Sequence, residues 1–248
     1  MQGGCEIVLA KAGFVGYASV CYAGLIGKAL CGRMPEPRPS EDMNVVFRLV
    51  QGVEVPDLSG IEEAYSVKLV PKGYHVFAVN ISAEKIPKAF RRLASEVAQP
   101  AFFLLELPTH RDVEEKLRTS PSDPFHRDVY YLDGLTWPVA EEIFAGYEFL
   151  LTHDGEANFG YGSRVGHDEV FVGAYKVFYI YADNAEKYHA ALRELGYQEV
   201  PQMKTVWDNF SEKSPGCRNA LTNTTPTIWQ MAEQLKEKGL YLAERRAD

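Results

Sequence analysis

Cysteine is scarce in this 248-residue chain and poorly placed for structural chemistry. Its four cysteines, Cys5, Cys21, Cys31 and Cys217, form no C-x-x-C pair, and three fall in the first 31 residues, so their spacing gives neither a zinc ligand set nor a disulfide framework. A reducing, cytoplasmic location is the resulting expectation. Basic charge is short as well, with 26 Lys and Arg against 34 Asp and Glu, a formal balance of −8. Duplex nucleic acid and anionic membranes reward clustered cations, so neither is expected as a partner, and a basic protein partner fits better.

Long apolar runs are also missing. Residues 12–27, AGFVGYASVCYAGLIG, are uncharged, but they are rich in Gly and Ala and shorter than the ~20 apolar residues of a spanning helix. Lys11 alone would supply a basic flank, with Glu6 ahead of it and no clear cleavage site behind, so the run reads as a buried helix rather than a signal or anchor. The segment CEIVLAKAGFVGYA approaches a dinucleotide fingerprint but puts Lys11 where the first glycine makes the tight turn. No acid-ended strand follows it; the proline-rich residues 33–42 do. No cofactor is expected. The nucleophile-elbow pattern G-x-S-x-G is absent. The acidic doublets Glu62-Glu63, Glu114-Glu115 and Glu141-Glu142 are adjacent residues that do not face one substrate, and they read as solvated surface.

What remains is an ordinary globular composition, 46% hydrophobic and 24% charged. NVVFRLV (44–50) is a short strand candidate, and AYSVKLV and GYHVFAVNIS flank a Pro-Lys-Gly turn as a hairpin. Ser82 is a candidate cap for a helix with Ile86, Ala89, Phe90, Leu93 and Val97 on its buried face, and AFFLLEL (101–107) reads as a strand apolar on both faces. Thr109 with Asp112 resembles a capping box opening a helix through Arg118. DVYYL is a strand, and Thr136-Pro138 starts a helix bearing Val139, Ile143, Tyr147 and Leu150. EVFVGAYKVFYIYA reads as one long strand with a bulge at Gly173. Asp183 or Asn184 caps a helix ended by Gly196, and Thr225-Pro226 caps one stopped by Gly239. Trp207 and Trp229 read as core residues.

Two strand-to-helix junctions resemble each other. Tyr74, Val76, Phe77, Ala83, Glu84, Lys85, Ala89, Arg91 and Leu93 match Tyr175, Val177, Phe178, Ala185, Glu186, Lys187, Ala191, Arg193 and Leu195, with one single-residue gap. A strand followed by an amphipathic helix produces such likeness from composition alone; a duplicated β-β-α-β unit produces it by descent. Both readings give an α+β fold with antiparallel or mixed sheets and packed helices. The boundary candidate is the Pro- and Ser-rich stretch 120–125, separating units at 1–119 and 126–248, with a single continuous domain as the other arrangement.

Residues 151–170, LTHDGEANFGYGSRVGHDEV, concentrate His, Asp, Glu and Gly. Pairing 156–162 antiparallel to 168–174 makes SRVGH the connecting loop and puts His153 at the base and His167 at the tip, roughly 20–25 Å apart at ~3.3 Å per residue. No shared metal site is expected, since one ion needs both imidazoles within about 2.1 Å of it. The leading expectation is a non-enzymatic acidic protein that binds and inhibits, neutralises or regulates a macromolecular partner through Ser163, Arg164, His167, Asp168 and Glu169 at the hairpin tip. The alternative is an enzyme or small-ligand protein whose residues converge only in three dimensions, drawing on His153, Asp154, Glu156, His167 and Cys217.

Overall fold

The first strand, β1 (Val53–Glu54), is two residues long and finds its partner far along the chain in β10 (Cys217–Arg218). The structure, a computed structural model, describes residues 47–248, which belong to one compact unit. The three N-terminal cysteines, the uncharged run, the glycine-turn segment, the proline loop at 33–42 and the start of NVVFRLV lie outside the described residues; its remainder, 47–50, is irregular.

Alternating side chains build the hairpin β2 (Ala64–Leu69) and β3 (His75–Val79), which reverses at Gly73 with φ +88°. Helix α1 (Ile86–Ala94) buries Ile86, Ala89, Phe90 and Leu93, with Pro87 in its first turn where a missing N–H costs no helical bond. Strand β4 (Ala101–Pro108) is apolar on both faces and central, as its sequence requires. Then come α2 (Arg111–Leu117), β5 (His126–Leu135), α3 (Trp137–Gly146), α4 (Glu148–His153), β6 (Asn158–Ser163), β7 (Glu169–Val172), β8 (Phe178–Ala182), α5 (Ala185–Glu194), β9 (Gln198–Glu199), α6 (Ile228–Lys236) and β11 (Tyr241–Ala247). The fold is α+β.

Nine strands share one sheet in the order β11-β5-β4-β6-β7-β8-β3-β2-β9, antiparallel throughout except where β9 runs parallel to β2. The two-residue period sends Phe77, Phe103, Leu105, Phe159, Tyr161, Val170 and Phe178 into the main core with the helices. Phe102, Leu104, Val129 and Phe171 point the other way and form a second, smaller cluster with Tyr131, Tyr179 and Tyr181. Close approach explains Gly162: a Cβ there would stand 2.5 Å from the Phe102 ring. The two similar junctions are neighbours, for β3 pairs antiparallel with β8, and α1 touches α5. Strands from both sides of residues 120–125 share the sheet, since β4 pairs with β5 and β6.

Several local expectations are corrected. The run 169–182 is two strands, because the chain reverses at Gly173–Lys176, with Tyr175 and Lys176 at φ 57° and 59°. Ser82 does not cap; its hydroxyl accepts from Arg48 N–H at 3.2 Å. Thr109 donates to Asp128 Oδ1 at 2.6 Å, which leaves α2 to start behind His110. The helix after Thr136 breaks at Tyr147, and Val139 is exposed while Ala140, Ile143 and Phe144 are buried. The cap of α6 is Thr227, paired with Gln230 in a capping box, two residues past the expected Thr225.

Candidate functional site

The hairpin β6-β7 forms in the expected sense, with Phe159 opposite Val172 and Gly162 opposite Glu169. At its base α4 ends on His153. Asp154 is fully buried and spent on backbone: Oδ1 accepts from Glu156 N–H at 2.9 Å and Ala157 N–H at 3.0 Å, and Oδ2 from Leu221 N–H at 2.7 Å. Gly155 meets Gly52 so closely that a Cβ would lie 1.8 Å from Gly52 O, and its N–H donates to Asn219 O. Residues 153–155, 52 and 217–221 therefore join here, which brings the strand of Cys217 to the base. Glu156 lies 3.3 Å from Arg127 and 3.9 Å from Arg218. Burial, and then the charge of Lys176, hold the His153 imidazole below its ordinary pKa.

Lys176 belongs to this base, and sequence reading missed it. Its ammonium is buried, and Nζ donates to Leu151 O at 2.8 Å and Ala157 O at 2.7 Å. Burial pushes its pKa down to about 7, with Asp154 opposing. The side chain thus locks the β7-β8 turn to the ends of α4 and β6. His153, Asp154, Glu156 and the strand of Cys217 do come together, but the groups at the centre are consumed by structural bonds. Among the described residues no three metal-ligating side chains cluster.

At the other end, the tip residues fare differently from one another. Asp168 is buried and ion-paired to Lys187. Glu169 is partly buried, and burial, reinforced by the charge of Glu106, pushes its carboxyl up to about 7. Asp168 is thus matched within the fold, and Glu169 is partly withdrawn from solvent. Arg164 grips Asp133 Oδ1 through Nε and Nη2 at 2.9 and 2.7 Å and lies 4.5 Å over Phe102 and 4.8 Å over Tyr131. His167 binds Asp183 through Nδ1 at 2.6 Å and its backbone N–H at 3.0 Å, and its ring stacks on Tyr74 at 4.9 Å. Ser163 Oγ accepts from Val165 N–H at 3.1 Å. Val165 itself is 68% exposed.

Of the acidic doublets, Glu63 pairs with Lys85, Glu141 with Arg91, and Glu114 is buried, so one member of each is engaged rather than freely solvated. None of the described helices is long and apolar enough to cross a membrane. Comparison with protein-family models, curated proteins and solved structures returned no match.

Proposed function

We propose that this chain is a non-enzymatic binding protein that recognises a protein partner with the hairpin tip 163–167, and so inhibits, neutralises or regulates it. One observation carries the reading: the charged side chains of the tip are tied back to the framework, whereas the apolar Val165 is held out in water. Fixing Arg164 and His167 beforehand lowers the ordering cost of association, and an exposed aliphatic side chain on a rigid loop is suited to filling a partner's pocket. Leu69, 66% exposed, ends the neighbouring β2-β3 hairpin at the same end of the sheet, since Leu69 pairs with His75 and His75 with Ala182. The base of the hairpin supports the non-enzymatic reading, because Asp154 and Lys176 already have backbone partners for their polar atoms.

The test is comparative capture from source-cell lysate with quantitative mass spectrometry, using wild type, Val165→Asp and Phe149→Asp. Phe149 is 51% exposed on α4, near the opposite end of the hairpin. A partner enriched on wild type and Phe149→Asp but at least tenfold depleted on Val165→Asp is expected. Equal recovery on all three would refute the role of the tip.

A further inference from the structure

The two ends of the nine-stranded sheet differ. Among the described residues, β9 ends one side with two residues, whereas β11 ends the other with seven and is paired on one side only, to β5. Six of the seven are exposed, Tyr241 and Leu242 by 45% and 43%. At about 3.3 Å per residue this edge runs for roughly 20 Å and offers a row of backbone donors and acceptors to a further strand.

Exposed edges are usually guarded by proline, by a bulge or by charge. β11 has no proline, and its bulge is confined to Leu242–Glu244, so Glu244 to Ala247 stay in register with β5. Its charges are largely matched within the fold. Arg245 grips Asp128 through Nε and Nη2 at 2.5 and 2.9 Å, and Arg246 Nη2 meets Glu106 Oε1 at 2.5 Å. Glu244, its side chain half exposed, stands 3.4 Å from Arg246 Nη1. Glu244 and Arg246 therefore share the sheet face of Glu106, while Arg245 takes the opposite face with Asp128.

This pattern is self-complementary. A second copy related by a two-fold axis normal to the sheet pairs antiparallel and keeps each face in common, so a residue can oppose only one of its own face. With the axis at Arg245, Glu244 stands opposite Arg246 of the second copy, and Arg246 opposite Glu244 of the second copy. The two Arg245 side chains at the axis are each neutralised by Asp128. An axis at Glu244 or at Arg246 would set like charges against each other instead, and cross-strand pairing rewards opposite charges and penalises like ones. We propose that β11 pairs antiparallel with β11 of a second copy of this chain, about a two-fold axis at Arg245, and continues the sheet across a dimer. The pairing consumes the same edge in both copies, so association closes at two.

The experiment is sedimentation equilibrium of the full-length protein from low to high micromolar concentration, with hydrogen exchange of the 241–247 amides read at both ends of that range. A monomer–dimer equilibrium is expected, with outward-facing amides of β11 slower to exchange at the higher concentration. Glu244→Arg sets arginine against arginine at both cross-strand pairs and should raise the dissociation constant at least tenfold; Glu212→Arg, an equal charge change on an exposed loop, should leave it unchanged. A chain that stays monomeric throughout, or a dimer whose β11 amides exchange as fast as the monomer's, would overturn the proposal, and these two readings need no variant to fold. A dimer that Glu244→Arg does not weaken would overturn it as well. Protection of β11 gained only on adding source-cell lysate, with the chain alone monomeric, would reassign the edge to a strand of another protein.

Discussion

Replacing Glu169 by glutamine should stabilise the protein above neutral pH. Glu169 opens β7 between Gly162 and Tyr181, on the same sheet face as Phe171. Burial drives its carboxyl from the ordinary 4.5 to about 7; the charge of Glu106 adds to the rise and that of Arg164 opposes it. The native state therefore holds this proton more tightly than the unfolded chain, and stability falls as pH rises from 4.5 through 7. At ~1.4 kcal/mol for each pH unit, ionised Glu169 costs the fold up to about 3 kcal/mol above pH 7. Glutamine keeps the shape and removes the ionisation. Urea unfolding of both proteins at intervals from pH 5 to pH 9 should show a small difference at the acid end that grows in favour of Glu169→Gln and levels off above neutrality. A difference that does not change with pH, or a variant less stable than wild type at pH 8, would refute the argument.

Two further outcomes concern the base of the hairpin. Asp154→Ala strands three backbone N–H groups and should cost roughly 3–5 kcal/mol, read as a lower urea midpoint at unchanged slope; a loss below about 1 kcal/mol would show that these bonds are replaced by water. Lys176 is held down to about 7 from 10.5, so between those values the unfolded chain keeps a proton that the native state lacks, and wild-type stability should rise with pH across that interval. Lys176→Met should lose this rise, worth up to about 5 kcal/mol, and an identical pH profile in the variant would show that the lysine stays charged when folded.

Much of the fold was legible because burial imposes period on sequence. The buried positions of α1 and α5, the hairpin at 64–79 and the pairing of β6 with β7 all follow from which face meets the core. The reversal at Gly173–Lys176 was not legible. Apolar and aromatic residues continue through it, and the positive φ values fall on Tyr175 and Lys176 rather than on a glycine. What holds them there is Lys176 Nζ on the carbonyls of Leu151 and Ala157, contacts made across the fold that no local pattern announces. The displaced caps have the same origin. Ser82 and Thr109 are good capping residues, yet Arg48 and Asp128 engage their hydroxyls first.

The candidate sites were harder still, because a sequence counts charges and cannot say which are paired. Adjacent acids looked equivalent, but neighbouring residues on a helix differ by about 100° in direction, so Glu114 turns under α2 while Glu115 stays at the surface with Arg111. Asp168, just before β7, and Glu169, its first residue, likewise meet different environments, one against Lys187 and the other toward the face where Glu106 raises its pKa. The formal charge of −8 is thus a poor guide to recognition in this fold, since many of its acids meet cations within the protein. What a partner can gain depends on what folding leaves in water, such as the aliphatic side chain of Val165, whose burial in a complex would be rewarded whatever the net charge of the chain.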